Sequence, residues 1–169
     1  MIIRTETHND YDKIYDLVKT AFETANFSDG DEQDFVVELR ESGKYIPELA
    51  LVAEEDGCLI GHIMLTKLTI KNGEKDYHVL LLAPLCVLLE HRCLGVGAQL
   101  VGESFKRARE MGYDSVLLAG DPDYYGRFGF SCSEDYGIIN TSGVPAQYTL
   151  ACELVPGALS GKSGTVSLI

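Results

Sequence analysis

At 169 residues, 46% of them hydrophobic, the chain is long enough to bury a core as one domain over residues 1–169, and no apolar run approaches the ~20 residues of a membrane helix. Its net charge of −12 repels phosphate backbones, so nucleic acid is not an expected partner, while cationic amines are attracted at long range. Cys58, Cys86, Cys93, Cys132 and Cys152 are odd in number, scattered and free of any Cys-x-x-Cys pair, which argues against a disulfide framework and a metal site and points to a reducing cytoplasm.

Ile2 to Glu6 reads as a first strand, entered without the features of a signal peptide. Asn9 or Asp10 is placed to cap a helix whose apolar face carries Ile14, Leu17, Val18, Ala21, Phe22 and Ala25. Phe27 to Gly30 break that pattern. A second helix is expected from about Asp31 to Ser42, with Phe35, Val36 and Leu39 inward and Gly43 at its C-terminal cap. Leu49 to Glu54 and Leu59 to Ile70 read as strands joined by Asp56-Gly57, a dipeptide suited to a tight hairpin, and Asn72-Gly73 repeats the turn signal.

Val79 to Leu89 is apolar without alternation, as in a central strand covered on both faces. Pro84 interrupts it; proline cannot donate to a ladder, so a bulge or a loss of pairing is expected there. A helix from about Gly95 to Met111 buries Leu100, Val101, Ser104, Phe105 and Ala108, and Gly112 closes it. Ser115 to Ala119 is the next strand, and Ala146 to Leu154 alternates as a strand would. Pro156-Gly157 and Ser160 to Gly164 read as a flexible link to a short β-prone piece, Thr165 to Ile169, so that residues 154–169 form a C-terminal extension. No internal repeat is seen.

The informative segment is Arg92-Cys93-Leu94-Gly95-Val96-Gly97-Ala98, between that central strand and the following helix. A buried strand that empties into a glycine-containing turn and a helix start aims several backbone N–H groups and the positive end of the helix dipole at one spot, where a phosphate fits. A Walker loop would need Lys and then Ser or Thr after Gly97, and Ala98-Gln99 stand there instead. The dinucleotide fingerprint would need a third glycine where Leu100 is. What remains, Arg-x-x-Gly-x-Gly/Ala, resembles the coenzyme A pyrophosphate loop of the GNAT family of acetyltransferases. A second motif follows in the expected order: Tyr125-x-x-x-Gly129-Phe130 looks like the tyrosine and Gly-Phe pair after the fifth strand in that family. The resemblance covers roughly Leu49 to Leu154, and the Gly120-Asp121-Pro122-x-Tyr124-Tyr125 wording is closest to a group of predicted bacterial N-acetyltransferases.

The resemblance implies a mixed α/β fold with a central, mostly antiparallel sheet flanked by helices, whose fourth and fifth strands splay apart to admit a pantetheine arm. It implies acetyl-CoA as cofactor, held by Arg92, Cys93, Leu94, Gly95, Val96, Gly97 and Ala98, with backbone groups of Cys86, Val87 and Leu88 along the arm and Tyr125 beside the sulfur. The reaction implied is direct attack by a primary amine of a small molecule or peptide, with a backbone N–H of Val87 or its neighbour on the thioester carbonyl and the Tyr125 phenol, ordinarily near pKa 10, as proton donor to the thiolate. The alternative for Tyr125 is an aromatic packed with Phe128 and Phe130. No general base is distinguished: for each of Glu54, Glu55 and Glu90 a surface role is the better reading, His8, His62, His78 and His91 lack metal spacing, and His91 belongs to the loop.

The chain departs from the family pattern at Leu89, Cys93 and Leu94, where relatives carry Pro, Gly and a basic residue. Loss of the loop cation removes a phosphate contact worth ~1–3 kcal/mol. A non-catalytic acyl-CoA binding or sensing protein on the same fold is therefore the alternative function. Exposed sheet edges make a homodimer a further expectation from the family.

Overall fold

In the computed structural model, residues 1–26 and 28–168 are described; the expected break at Phe27 and the final residue of the last β-prone piece, Ile169, lie outside them. Contacts divide the chain into two compact units, Met1–Thr66 with Ala83–Arg107, and Lys67–Leu82 with Ala108–Ile169.

The first unit opens with β1 (Ile2–Thr5) and α1 (Tyr11–Phe22), whose Ile14, Leu17, Val18 and Ala21 are buried at helical spacing. Asp10 stands at the N-cap without capping the helix; its carboxylate instead accepts bonds from the Thr7 N–H (2.8 Å) and from Arg4 Nη1 and Nη2 (2.7 and 2.9 Å). The helix stops at Phe22, so Ala25 lies beyond the apolar face expected to include it. α2 (Glu32–Glu41) buries Val36 and Leu39, while Phe35 is half-buried. Ser42, not Gly43, is its C-cap. β2 (Ala50–Glu55) pairs antiparallel with β1 and with β3 (Cys58–Asn72), and both Asp56 and Gly57 take positive φ (51° and 79°), the geometry of a two-residue hairpin. A second hairpin leads into β4 (Lys75–Val87). Ala50, Val52, Met64 and Cys86 form one face of this sheet, and α1 and α2 cover it. From the first turn of α3 (Val96–Glu110), Val96, Leu100, Val101 and Phe105 are buried.

In the second unit the first half of β4 runs parallel to β5 (Ser115–Ala119), with Leu80 opposite Val116 and Leu81 opposite Leu117. β4 then continues past the buried Pro84 to Val87, so the ladder with β5 ends before the proline, as its missing N–H predicts. The short α4 (Pro122–Tyr125), β6 (Ser131–Cys132) and β7 (Ile138–Asn140) follow. β8 (Thr149–Glu153) lies between β5 and β6, antiparallel to both. It is buried from Thr149 through Cys152 and so does not alternate; Ala146–Tyr148 before it form a 3₁₀ turn. β9 (Gly164–Val166) runs parallel to β7 and meets β3 at Lys71. The expected flexible link is fastened down: the Leu159 N–H donates to the Glu153 carboxylate (2.8 Å), Lys162 pairs with Asp114 (2.9 Å), and Asn72 Nδ2 donates to the Ser163 carbonyl (2.8 Å).

Candidate functional site

β4 delivers the chain to the expected phosphate cradle through a short, heavily bonded connection. The Leu88 N–H donates to the Ile60 carbonyl of β3 (2.9 Å), and the Leu88 carbonyl accepts from the His91 N–H (2.9 Å). The Leu88 N–H is thus taken up by β3, while its carbonyl keeps a second lone pair, and its half-buried side chain packs on the α1 and α2 core. Because backbone groups of successive strand residues point to opposite edges, the Val87 N–H is turned away from β3. Cys86 is buried, and burial pushes its thiol pKa up to about 12. Its sulfur is a packing group.

Arg92 does more than add charge. Its Nε donates to the Val87 carbonyl (2.9 Å) and its Nη2 to the Ala21 carbonyl in the last turn of α1 (2.7 Å). A cation is favourable at that negative helix end, and the guanidinium thereby clamps α1, the end of β4 and the loop together. Cys93 (φ 62°) and Gly95 (φ 85°) both take left-handed backbone. For Cys93, exposed and carrying a Cβ, that conformation costs of order 1–3 kcal/mol. The Gly95 carbonyl accepts the Gln99 N–H (3.0 Å), the bond that opens α3, so the amides of Val96, Gly97 and Ala98 precede it and donate to nothing within the helix. Leu89 (56% exposed) and Leu94 (69%) flank this turn in solvent.

A residue that sequence reasoning missed sets the height of that helix start. A methyl at Gly61 of β3 would lie 3.0 Å from Leu100 Cδ1, 3.2 Å from the Cys86 carbonyl oxygen and 3.3 Å from Val96 Cγ1. The bare glycine lets the first turn of α3 settle on the sheet beside the end of β4.

In the second unit, Tyr125 ends α4, whose N-cap Asp121 accepts the Asp123 N–H (2.9 Å). Its half-buried ring meets Tyr124, Phe128 and Phe130 at centroid distances of 4.9, 6.4 and 5.7 Å. The ring lies over Gly120, where an added methyl would come within 2.6 Å of Tyr125 Cε2. Gly129 of the Gly-Phe pair takes φ 92° and turns the chain into Phe130, which is buried.

A family model for the acetyltransferase (GNAT) domain matches residues 2–133. The chain belongs to the GNAT family. The match reaches back over β1, α1 and α2, which the motif-based resemblance from Leu49 had left out. The chain is 37% identical over 130 residues to YjhQ of Escherichia coli K12, named an uncharacterized N-acetyltransferase, covering 76% of this chain and 68% of that one. To YhbS of the same strain, also named an uncharacterized N-acetyltransferase, it is 34% identical over 168 residues, covering 98% and 95%. The crystal structure of Escherichia coli YhbS in complex with CoA superposes with a TM-score of 0.87 at 29% identity, covering 98% of this chain and 88% of that one. A GNAT acetyltransferase from Brucella melitensis in complex with acetyl-CoA gives 0.79 at 28%, covering 98% and 94%. The fold is that of a GNAT acetyltransferase, and no helix among the described residues is long and apolar enough to cross a membrane.

Beneath α1 and α2 this GNAT protein holds a buried polar cluster that no motif announced. The Glu6 carboxylate, fully buried, accepts from Arg40 Nε (3.0 Å) and Nη2 (3.2 Å), the Tyr45 hydroxyl (2.7 Å) and His62 Nε2 (2.9 Å). Burial alone would raise its pKa, but the bonds from His62 and Arg40 outweigh it and bring the value to about 2. Burial, then the bond to Glu6, raises the Tyr45 hydroxyl. His62 Nδ1 is buried without a partner among the described residues.

Proposed function

We propose that residues 1–169 act as one cytoplasmic N-acetyltransferase domain, moving the acetyl group of acetyl-CoA to a primary amine of a small molecule or peptide by direct attack in a ternary complex. The observation that carries this reading is the turn after β4, where the Val96, Gly97 and Ala98 amides converge at the start of α3 with no helical acceptor. Such a cradle fits the pyrophosphate of coenzyme A, and the crystal structures of Escherichia coli YhbS and of the Brucella melitensis acetyltransferase carry CoA and acetyl-CoA.

In this reading Gly95 to Ala98 hold the pyrophosphate through backbone amides, and Arg92, Cys93 and Leu94 shape the turn. Arg92 contributes its charge and fixes the loop through the two N–H groups that serve the Val87 and Ala21 carbonyls, with the other donors of the guanidinium left to face a phosphate. Cys86, Val87 and Leu88 line the pantetheine path, with the Val87 N–H, turned away from β3, polarising the acyl carbonyl. Acetyl-CoA supplies an acyl group already activated as a thioester. The amine arrives neutral and forms the C–N bond as the C–S bond breaks; Tyr125 gives its proton to the departing thiolate, and the proton lost by the amine nitrogen returns through solvent to restore the phenol.

The competing reading, an acyl-CoA sensor without turnover, draws on the same loop: Leu94 stands where a basic residue would strengthen phosphate binding. Calorimetric titration with acetyl-CoA, using ATP and NAD as controls, followed by an amine screen with free-thiol detection, tests both. Micromolar binding of acetyl-CoA alone, with thiol release on adding amine, is the expected result. Binding without thiol release from any amine favours the sensor, and absence of binding removes the cradle.

A further inference from the structure

α1 and α2 enclose a second feature that the cradle does not use. An open pocket of about 490 Å³ lies at the N-terminal end of α1, walled by Tyr11, Tyr15, Val37 and Tyr45. That volume is in the range of small-molecule sites, ~300–1,000 Å³. Its floor is rigid. Arg40 stacks on the Tyr11 ring (3.9 Å to the centroid), while the buried Glu6 carboxylate binds both Arg40 and the Tyr45 hydroxyl. Tyr15 is held from the other side by Asp34 (2.8 Å).

The charge of the pocket follows from these bonds. Arg40 is neutralised by Glu6 behind the wall, at 3.0 Å. The other ionisable lining groups besides the tyrosines are His8, Asp12 and Glu41, all exposed; the His8 imidazole meets the edge of the Tyr11 ring at 5.0 Å between centroids, and the two carboxylates take no part in the ion pairs formed among the described residues. One face of Tyr11 is taken by Arg40, which leaves the Tyr15 and Tyr45 rings of the lining, with two carboxylates outside any ion pair among the described residues, to favour a cation with an apolar body. From Tyr11 to Ala21, whose carbonyl meets Arg92, the helix rises roughly 15 Å, so this pocket and the cradle clamp sit at opposite ends of α1.

We propose that this pocket is a binding site for an organic cation, a primary ammonium or guanidinium group on an aromatic or aliphatic body, separate from the phosphate cradle. It adds an amine-docking site to the acetyl-transfer reading without depending on it.

Titration of the full chain at neutral pH with 2-phenylethylamine, and with 2-phenylethanol as its neutral counterpart, tests the proposal through tyrosine fluorescence and calorimetry. The ammonium should bind at least about tenfold more tightly than the alcohol, as a cation over aromatic rings with two carboxylates nearby requires. Replacing both rim carboxylates, Asp12→Asn with Glu41→Gln, should lower the amine affinity about tenfold or more and leave the thermal melt and the acetyl-CoA titration unchanged. Val37→Trp, which fills the pocket without touching a charge, should also abolish amine binding. Equal affinity for amine and alcohol, no amine binding up to millimolar concentration, or full binding by the rim double variant would each overturn the site. Loss of acetyl-CoA binding with amine binding intact would remove the cradle reading alone.

Discussion

Tyr125 carries the chemistry proposed for this chain, and its surroundings say how it is held. The ring is wedged among Tyr124, Phe128 and Phe130 and lies over Gly120. The packing role is compatible with the proposed acid role in one side chain, because the ring serves the first and the hydroxyl would serve the second. Tyr125→Phe should keep acetyl-CoA affinity and lose most turnover, about 10²-fold or more for a lost proton donor; unchanged kcat would exclude the acid role. Gly120→Ala should move the ring and lower kcat in the same direction. Glu6 makes a different prediction. Its folded pKa of about 2 lies below the ordinary 4.5, so its stabilising effect is complete above pH 4.5 and is lost as pH falls from there toward 2. Glu6→Gln should destabilise the protein by about 3–5 kcal/mol, as expected when a buried pair loses one charge, and should flatten the acid limb of a stability-versus-pH curve. Urea melts from pH 7 to pH 3 measure both effects. None of this cluster was legible beforehand: Arg40, Tyr45 and His62 stand 34, 39 and 56 residues from Glu6, and no local pattern ties them to it.

Elements were more readable than their contacts. The two glycine hairpins, the apolar part of β4 from Val79 onward and the periodic face of α3 follow from signals contained within each segment, and all appear close to where those signals put them. Segments whose form is imposed by neighbours departed from expectation. β8 lost its alternation because it sits inside the sheet between β5 and β6, where its side chains are covered from Thr149 through Cys152. The Ser160–Gly164 stretch lost its freedom because Asp114, Asn72 and Glu153 bind it and the turn before it. The cradle shows the same division. Its glycines and helix start were visible in sequence, whereas Gly61, which seats the helix, looked like an ordinary strand residue. Gly61→Ala should push Val96 and Leu100 off the sheet, cost about 1–3 kcal/mol as overpacking does, and weaken acetyl-CoA binding more than it lowers kcat. Wild-type affinity and stability in that variant would show that the seating is irrelevant.

Across the whole molecule the field is unfavourable to the proposed cofactor, since a chain of net charge −12 must take up a polyanion. The proposed cradle would meet that field with backbone amides and with an arginine already bound to carbonyls. Salt screens the long-range repulsion more than these short contacts, so acetyl-CoA affinity should stay level or rise as ionic strength increases. A steep fall, followed by calorimetry, would mean that exposed cations dominate binding instead. The same arginine has a mechanical consequence. Arg92 joins carbonyls at Ala21 and Val87, the first of them 71 residues away along the chain. Fraying of the last turn of α1 breaks one of the two guanidinium contacts that hold the loop in place, so the two motions are coupled. A ligand that stills the loop therefore slows hydrogen exchange at the end of a helix it never touches.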